Sequence, residues 1–359
     1  MIKYSLIGCG RISTNHIKAA EANGLELFAV CDLIPENMET ALTQHGLEGN
    51  DNISSYTDYK KMLEEKSPQL VAIATDSGSH AQIALDCIEA GCHVIIEKPI
   101  SLSLVDADNI IKSAKEKGTH ACACHQNRFN ISVQHIRRAI DQGRFGKISH
   151  GSVHVRWNRD KAYYNQASWR GTWACDGGAL MNQSIHGIDL LRWLLGDDIE
   201  EVFAYTAKQF HPYTECEDVG LAVVKFKNGT LATIEGTTNV FQENLEETLY
   251  IFGEKGTAKA GGKSANNLEV WRFADSRLED EELKSGIYEQ VSNIYGNGHV
   301  NLYADMIDAI KTGRRPYIDA EAGRRALELV LAIYKSAFEK RPVKLPLGEC
   351  DILEFRGSL

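Results

Sequence analysis

The first residues with a recognisable chemical pattern are two glycines that directly follow a short apolar stretch. Residues 2–7, IKYSLI, predict a strand, and GCGRIS (8–13) leads from it into a helical pattern. This G-x-G-x-x-S spacing is close to the dinucleotide-binding fingerprint. In that fingerprint Gly8 permits a tight turn, and Gly10 lets the backbone approach a pyrophosphate at a helix N-terminus. Ser13 stands where a third Gly or Ala is usual, and it is small enough for that place.

A carboxylate lies where the same fingerprint expects one. A second predicted strand, ELFAVC, ends at Asp32, about 20 residues after the glycines. A carboxylate there can accept both ribose hydroxyls of NAD, and it would repel the 2′-phosphate of NADP. Leu33 and Ile34 follow it, so no Arg is at hand to bind such a phosphate. The pattern predicts NAD as the cofactor; a tight turn and a capping Asp without a ligand are the alternative.

Two side chains far apart in the chain are suited to move a proton. Lys98 follows the apolar run HVIIE, at the carboxyl end of a predicted parallel strand, which is the edge where open α/β sheets bind ligands. A Lys in a dry site can accept a proton, and a His such as His186 can act as base or donor. Alcohol oxidation by NAD needs a group that takes the hydroxyl proton. The residues do not decide between the two, and a strand-end Lys and a satisfied interior His are the structural alternatives.

Strands alternate with helices over the first 125 residues. Continuous apolar runs at 70–75 and 93–99 are typical of strands buried in a parallel sheet. Helical patterns occupy about 13–23, 35–45, 80–90 and 104–117. This alternation is the mark of a doubly wound parallel sheet, so we predict an N-terminal NAD-binding Rossmann domain over 1–125.

The rhythm changes after residue 125. Residues 148–157 alternate between polar and apolar as a long strand does, a helix fits 183–195, and Asn228-Gly229 between two alternating segments predicts a hairpin. Helices at about 299–312 and 320–340 close the chain. We predict a C-terminal α+β domain over 126–359 with a large, mostly antiparallel sheet, which binds substrate and mediates oligomerisation.

The composition excludes several classes of function. The chain has 359 residues with 43% hydrophobic and 25% charged, and 39 basic against 49 acidic side chains leave a net charge of −10. An acidic chain without a basic block is a poor candidate for binding nucleic acid or an anionic membrane. No apolar run approaches the ~20 residues that span a bilayer. The absence of a signal-peptide pattern and nine irregularly spaced cysteines indicate a cytoplasmic protein with reduced thiols.

Several motifs, taken together, resemble one enzyme family. They are GCGRI after the first strand, ATDSGSH (74–80), Glu97-Lys98-Pro99 and DGGALMNQSIHGID (176–189). In this order they resemble the glucose–fructose oxidoreductase/inositol dehydrogenase (Gfo/Idh/MocA) family nearly from end to end. The resemblance implies an NAD-dependent dehydrogenase that acts on CH–OH groups. Members usually have an Asp four residues before the His, and here Asn182 takes that place, so the family's Lys–Asp–His arrangement is not intact.

Further segments resemble one branch of that family. They are QNRFN (126–130), GRFGKI (143–148), VRWNR (155–159) and YYNQASWRGTW (163–173). The branch comprises NAD-dependent 3-dehydrogenases of UDP-N-acetylglucosaminuronic acid, which oxidise the sugar C3 hydroxyl during nucleotide-sugar biosynthesis for surface polysaccharides such as lipopolysaccharide. In that branch an Asn at position 182 is expected. The resemblance leaves open whether NADH is recycled in place with 2-oxoglutarate or released.

These motifs lead to a set of predicted site residues. We predict Lys98 and His186 as the catalytic pair. Predicted substrate ligands are Asn127, Arg159, Tyr163, Arg170, Asn182 and His299. Predicted cofactor ligands are Gly8, Gly10, Arg11, Ile12, Asp32, Thr75, Ser77, His80, Glu97, Lys98, Gln126, Trp169 and Arg170. Arg159 and Arg170 could bind a carboxylate or a pyrophosphate bidentately, whereas surface salt bridges are the alternative for them and core packing for the aromatic residues.

One group of potential metal ligands is not assigned a metal. His120, Cys122 and Cys124 alternate along a predicted strand, and His125 follows them. A buried strand shows the same alternation, with Cys as a small apolar residue, and no second ligand pair with zinc spacing is present. We therefore predict no metal site.

Two other functions stay open from the sequence. Another sugar or inositol dehydrogenase of the family would keep the NAD site and change the pocket, and a non-catalytic NAD-binding regulator would need no proton acceptor. The alternating strands VGLAVVKF and GTLATIEG carry apolar residues on more than one side, which indicates an interface. We predict a homo-oligomer, a dimer or a tetramer.

Overall fold

The chain forms two compact units. The computed structural model describes residues 2–275, 277–278, 280–288 and 296–357. Unit 1 comprises Met1–His125 and His299–Arg324, and unit 2 comprises Gln126–Gly298 and Arg325–Leu359. The units differ from the predicted domains in one segment. Residues 299–324 belong to unit 1, whereas the sequence-based limits put them in the second domain, 126–359.

The strands and helices follow one another along the chain with short connections. The strands are β1 (Lys3–Ile7), β2 (Glu26–Cys31), β3 (Ser54–Tyr56), β4 (Leu70–Ile73), β5 (His93–Ile96), β6 (Ala121–Ala123), β7 (Ile148–Arg156), β8 (Ile199–Ala207), β9 (Val219–Phe226), β10 (Leu231–Thr237), β11 (Glu246–Gly253), β12 (Gly256–Gly261), β13 (Asn267–Phe273), β14 (Ile287–Tyr288) and β15 (Val343–Lys344). The helices are α1 (Ser13–Ala22), α2 (Pro35–Gln44), α3 (Tyr59–Lys66), α4 (His80–Glu89), α5 (Leu104–Lys117), α6 (Ile131–Asp141), α7 (Lys161–Tyr164), α8 (Ile185–Leu195), α9 (Asp280–Lys284), α10 (Gly298–Thr312) and α11 (Ala320–Glu339).

Unit 1 is built on a parallel sheet with strand order β3-β2-β1-β4-β5-β6. Every pairing in this sheet is parallel. All four residues of β4 are fully buried, as expected for a strand covered on both faces by helices. The strand order reverses between β1 and β4, and in such sheets this is the point where ligands bind. The structure confirms the predicted Rossmann fold.

The chain returns to unit 1 through helix α10. The Tyr303 hydroxyl on this helix lies 2.8 Å from that of Tyr4 on β1, and the Asn23 side chain donates to the Val300 carbonyl at 2.9 Å. Both tyrosines are fully buried. The periodicity of the sequence predicts this helix. It does not predict which unit the helix packs against, because a helix face with aromatic and polar side chains could pack against either unit.

Unit 2 is built on a sheet with strand order β14-β13-β12-β11-β7-β10-β9-β8-β15. The pair β7–β10 is parallel, and the other pairs in the described part of this sheet are antiparallel. Strands β9 and β10 form the predicted hairpin at Asn228-Gly229, where Gly229 has a φ of +86°. The mostly antiparallel sheet confirms the predicted α+β architecture.

Helix α8 forms the interior of unit 2, against β7 and β11. Its residues are buried except for the half-buried Trp193. Inside this core the Asp189 carboxylate accepts two hydrogen bonds from the Arg128 guanidinium, at 2.6 and 2.7 Å. A bidentate pair of this kind is strong and directional, so it locks α8 to the chain segment that precedes α6.

The opposite face of this sheet carries exposed apolar side chains on three neighbouring strands. Tyr205 is 67% exposed, Leu221 and Val223 are each 52% exposed, and Leu231 is 49% exposed. The strand register puts Leu221 beside Tyr205 on β8. We refer to Tyr205, Leu221, Val223 and Leu231 as the outer patch.

Within the described residues, none of the helices combines the length and the apolar character needed to cross a membrane.

Candidate active site

The turn after β1 in unit 1 can only be made by glycine at its first position. Gly8 has a φ of +93°, and a Cβ atom there would lie 2.5 Å from backbone atoms of Ala74. A side chain would therefore break the contact between this turn and the end of β4. At Gly10 a Cβ would meet nothing within 4 Å, so the space above its backbone is open. A tight glycine turn, open space and the start of α1 fit the pyrophosphate of a dinucleotide.

Asp32 connects the end of β2 to this glycine turn. Its carboxylate accepts the Cys9 N–H at 2.8 Å through one oxygen, and the Ile34 N–H at 2.9 Å and the Asn37 amide at 3.1 Å through the other. The side chain thus also has the capping role that the sequence left as an alternative. Each carboxylate oxygen can accept about two hydrogen bonds, and Asp32 is only half-buried, so Oδ2 can still accept a hydrogen bond from one ribose hydroxyl.

The residues predicted after β4 brace the backbone around the sheet edge. The buried His80 side chain lies 2.8 Å from the Pro99 carbonyl through Nδ1 and 3.3 Å from the Thr75 carbonyl through Nε2. Burial lowers the pKa of His80, which favours a neutral ring. The Ser79 hydroxyl donates to the Thr75 hydroxyl at 2.8 Å. Ser77 is buried.

Arg11 and Ile12 lie at the start of α1, where Arg11 is exposed and Ile12 is half-buried. Their position beside the glycine turn matches the cofactor role predicted for them, which stays a prediction.

The turn after β5 carries Lys98 and a buried carboxylate. The Lys98–Pro99 peptide bond is cis, and the Lys98 N–H donates to the Glu97 carboxylate at 3.2 Å. His16 Nε2 lies 3.1 Å and His299 Nε2 lies 3.5 Å from the same carboxylate. Burial opposes ionisation of Glu97, but these hydrogen bonds outweigh it and hold its pKa well below the usual range. His299, predicted as a substrate ligand, therefore lies inside unit 1 against Glu97.

A group of potential metal ligands occurs at this place, with a different membership from the one considered in the sequence. One donor atom from each of His16, Glu97, Cys124 and His299 lies within 4.8 Å of the others, and all four side chains are buried. Burial raises the pKa of the Cys124 thiol well above its usual value. His120 instead stacks on His93, with ring centroids 5.2 Å apart.

In unit 2, Asn182 and His186 do not share one α-helix. Asn182 lies in a π-helical turn, Ala179–Gln183, and α8 begins only at Ile185. The residue just before the turn lies against a carboxyl group: a Cβ at Gly178 would be 1.8 Å from Glu217 Oε2, so only glycine fits there. His186 is buried in the first turn of α8. π-Turns are frequent at functional sites.

Two acidic residues that the sequence did not single out support this turn. Asp176 accepts the Asn182 amide and, at 2.7 Å, the Gly171 N–H, so it joins the turn to the loop that carries Arg170. Glu217 is 2% exposed and accepts the Leu180 N–H at 2.8 Å and the Tyr334 hydroxyl at 2.9 Å. Burial raises the pKa of Glu217 to about 8. The acidic run ECED (215–218) was the only available signal for Glu217.

Two half-buried arginines lie close to one tyrosine ring in unit 2. Arg159 lies 4.9 Å and Arg170 4.4 Å from the centre of the Tyr163 ring, and Arg170 also lies 4.5 Å from the centre of the Trp169 ring. Arg170 donates to the Tyr163 hydroxyl at 2.7 Å, and Arg159 donates to Asn244 at 2.9 Å. Cation–π contacts hold guanidinium groups without neutralising them.

Neither of these arginines has a carboxylate within 4 Å among the residues that the structure describes. Arg156, three residues before Arg159, differs because it binds Glu235 and Glu246, each at 2.6 Å. The predicted alternative of a salt bridge therefore applies to Arg156 and not to Arg159 or Arg170. Two positive charges without a protein counterion form a candidate site for an anion.

Gln126 and Asn127 begin unit 2 in a buried 3₁₀ turn. The Asn127 amide donates to the buried Glu247 carboxylate at 3.5 Å, a residue that the sequence did not indicate. Asn127 Oδ1 has no hydrogen-bond partner within the described parts of the chain. This free acceptor is compatible with the predicted ligand role, which stays a prediction.

The comparisons with known proteins identify relatives across the whole chain. Residues 2–125 match the family model described as "Oxidoreductase family, NAD-binding Rossmann fold", and residues 137–345 match "Oxidoreductase family, C-terminal alpha/beta domain". The crystal structure of the WlbA dehydrogenase from Bordetella pertussis in complex with NADH and UDP-GlcNAcA is similar at 36% identity and a TM-score of 0.86. The match covers 97% of this chain and 99% of that one.

Two further relatives show the breadth of the family. The WlbA dehydrogenase from Chromobacterium violaceum, also solved with NADH and UDP-GlcNAcA, has 36% identity and a TM-score of 0.86, over 97% of this chain and 96% of that one. Myo-inositol 2-dehydrogenase from Thermotoga maritima is 27% identical over 357 residues, which cover 96% of this chain and 98% of that protein.

Proposed function

Because the chain belongs to the Gfo/Idh/MocA oxidoreductase family, we propose that it oxidises the C3 hydroxyl of UDP-N-acetylglucosaminuronic acid to a ketone, with NAD as cofactor. The family model covers both parts of the chain, and the dinucleotide turn with Asp32 fits NAD. The two WlbA structures, at 36% identity, contain NADH and UDP-GlcNAcA. The product is a nucleotide sugar for surface polysaccharide.

The observation that carries the choice of substrate is the pair of arginines around Tyr163. A UDP-uronic acid brings a carboxylate and a diphosphate, and Arg159 and Arg170 offer two planar guanidinium groups without carboxylate partners in the described structure. A neutral polyol such as inositol would give these charges nothing to bind. This favours the acidic nucleotide sugar over another sugar or inositol dehydrogenase activity.

The chemistry requires a proton acceptor and a hydride acceptor. NAD, when bound, supplies the acceptor for the hydride that leaves C3. As the C3–H and O–H bonds break and the C=O bond forms, the hydroxyl proton passes to Lys98 or His186. Lys98 is half-buried at the carboxyl end of β5, and His186 is buried at the start of α8. A non-catalytic NAD-binding regulator would have no use for either group.

A substrate panel tests the proposal directly. The purified protein is mixed with NAD and, in separate reactions, UDP-N-acetylglucosaminuronate, UDP-N-acetylglucosamine and myo-inositol, and the absorbance of NADH is followed. We expect turnover with the uronate and much less with the other two. Turnover of inositol at a similar or higher kcat/KM would contradict the substrate, and NAD binding without any turnover would favour the regulator.

Substitution of the arginines tests the anion site. Arg159→Gln and Arg170→Gln should each raise KM about 10- to 100-fold with little change in kcat, since hydrogen bonds to charged groups contribute about 1.5–3 kcal/mol in both ground and transition states. Arg156→Gln is the matched control, because the Arg156 charge is already neutralised by Glu235 and Glu246. Equal KM values in all three variants would contradict the proposal that Arg159 and Arg170 bind the anionic groups of the substrate.

The outer patch supports a homo-oligomer, a dimer or a tetramer. Four exposed apolar side chains on adjacent strands form the kind of surface that marks protein interfaces. Light scattering at micromolar concentration should give a multiple of the chain mass, and Leu221→Lys with Val223→Lys should reduce it. Phe241→Lys is the control, since Phe241 is 85% exposed outside the patch. A monomer mass for the wild type would contradict this part of the proposal.

A cytoplasmic location is supported by the thiols. The nine cysteines are thiols in the described structure, and eight of them are buried. Reduced thiols are usual in the cytosol, where disulfides are rare. Cell fractionation with an antibody against the protein tests the location, and recovery in a secreted fraction would contradict it.

A further inference from the structure

We propose that His16, Glu97 and His299 form a positioning cluster that holds the turn of Lys98 in place and keeps one negative charge next to this residue. The inference rests on the role of Lys98 in the proposed function. It concerns residues inside unit 1 alone: α1 supplies His16, the end of β5 supplies Glu97, and α10 supplies His299.

The hydrogen bonds around Glu97 define the direction of every proton in the cluster. An ionised carboxylate only accepts, so His16 Nε2, at 3.1 Å, must donate to it. In a neutral ring His16 Nδ1 then accepts from the Tyr303 hydroxyl at 2.8 Å, and Tyr303 in turn accepts from the Tyr4 hydroxyl at 2.8 Å. Burial raises the pKa of both tyrosines, so both stay protonated donors. The chain of donors fixes the Glu97 side chain against the sheet.

The same turn is held from its other side. His80 on α4 lies 2.8 Å from the Pro99 carbonyl through Nδ1, and the Lys98 N–H donates to Glu97 at 3.2 Å. The backbone on both sides of Lys98 is therefore fixed by side chains from different helices. A group fixed in this way loses little freedom when it must meet a reacting atom, which is how positioning contributes to catalysis.

Charged or titratable side chains face Glu97 from every element packed around it. These titratable groups are His16 from α1, His80 from α4, Lys98 from the same turn, Cys124 after β6, and His299 and Tyr303 from α10. Burial lowers the pKa of both His80 and His299, which leaves these rings neutral at physiological pH. The Lys98 backbone N–H, 3.2 Å from the Glu97 carboxylate, is the contact that joins this residue to the cluster.

A metal ion is the competing explanation for these four donor groups. A metal ligand from Cys124 would have to be a thiolate, and only in the metal-free site does burial raise the pKa of that thiol well above its usual value. His16 and Glu97 are already joined by a hydrogen bond of ordinary length. The hydrogen-bonded cluster therefore explains the geometry without a metal, and zinc content becomes an outcome of the test.

The test measures the proton affinity of Lys98 without any substrate. The complete protein is labelled with acetic anhydride over a range of pH, and acetylation of the Lys98 peptide is quantified by mass spectrometry. Glu97→Gln removes the negative charge and keeps the shape, so the pH of half-maximal labelling should fall by about one unit, and labelling below that pH should be about tenfold faster. A merely structural role of Glu97 would not move this pH.

A second pair of variants covers the case in which Glu97→Gln does not fold. His299→Leu removes one donor to Glu97 and leaves the carboxylate charge less compensated, so the labelling pH should rise, whereas His299→Gln restores an N–H donor and should return it toward the wild-type value. His93→Gln is the matched control, because His93 lies at the opposite end of the same strand, β5. It should leave the labelling pH of Lys98 unchanged.

The outcomes separate the cluster from the proposed function. A shift in labelling, restored by His299→Gln, supports the cluster even if UDP-N-acetylglucosaminuronate proves not to be the substrate. An unchanged labelling pH in folded, NAD-binding Glu97→Gln or His299→Leu protein overturns it. One zinc ion per wild-type chain that persists through dialysis and is lost in His299→Leu also overturns it.

Discussion

Glu217→Gln should stabilise the protein at alkaline pH, although it removes a carboxyl group with two hydrogen bonds. Glu217 is buried beneath the π-turn Ala179–Gln183 and accepts the Leu180 N–H and the Tyr334 hydroxyl through Oε1. Its Oε2 atom has no hydrogen-bond partner in the parts of the chain described. Gln keeps the accepting oxygen and the shape, so it mimics the protonated form of the side chain.

The magnitude follows from the pKa of Glu217, which burial raises from 4.5 to about 8. Between these two values the unfolded chain releases the proton and the folded chain retains it, so the free energy of unfolding falls as pH rises. Over this interval, at about 1.4 kcal/mol per pH unit, the loss reaches about 5 kcal/mol. It is absent below pH 4.5 and complete above pH 8. The neutral Gln suffers no such loss.

Thermal unfolding followed by circular dichroism, with wild type and variant compared at several pH values, measures the effect. The two melting temperatures should be close near pH ~4.5, and the variant should melt about 6 °C higher near pH ~8.5. Glu235→Gln is a control of opposite sign, because the bond to Arg156 lowers the pKa of Glu235 and its ionised form is the stabilising one. A difference between wild type and Glu217→Gln that does not change with pH would refute the reasoning.

Three further outcomes are expected. Asp32→Asn should weaken NAD binding and narrow the preference over NADP in a fluorescence titration, and a wild type that binds both equally would contradict the role of Asp32. Lys98→Ala and His186→Ala should each lower kcat by about 10²- to 10⁴-fold with little change in KM, whereas near-normal kcat in both would defeat the mechanism. Arg128→Met should cost about 3 kcal/mol in denaturant unfolding, because it leaves the buried Asp189 carboxylate without its bidentate partner. A cost below about 1 kcal/mol would mean that Arg192, which already lies 3.2 Å from Asp189, is a sufficient partner on its own.

The sheet of unit 1 could be predicted because its strands have a simple physical signature. Strands β4 and β5 are covered on both faces, so their residues form continuous apolar runs, and the glycine turn is visible in the spacing of two residues. Strand β3 and helix α3 were missed for the opposite reason. None of the β3 side chains is fully buried, and α3 buries only Met62 and Leu63, so neither leaves a strong pattern.

In the candidate site, too, some residues could be predicted from the sequence and others could not. Lys98 and the arginines stand out because their chemistry is local and their motifs resemble a family. The supports of the site were not visible. Asp176, Glu217 and Glu247 act through contacts with residues 6 to 120 positions away in the chain, and no local spacing encodes such a pairing. The π-turn before α8 escaped prediction for a related reason, since its Leu180 N–H donates to Glu217, 37 positions away in the chain.

The return of the chain to unit 1 through α10 has a consequence for vectorial synthesis on the ribosome. The 173 residues from 126 to 298 emerge after the parallel sheet and before the helix that covers it. Synthesis at roughly 5–20 residues per second takes about 10–35 s for this segment, and during that interval the nascent sheet lacks Tyr303 and His299. During that time the buried partners of these side chains, Tyr4 and Glu97, remain uncovered. A fragment that stops at residue 125 should therefore bind chaperones and resist isolation as a folded domain, even though it contains every strand of the nucleotide-binding sheet.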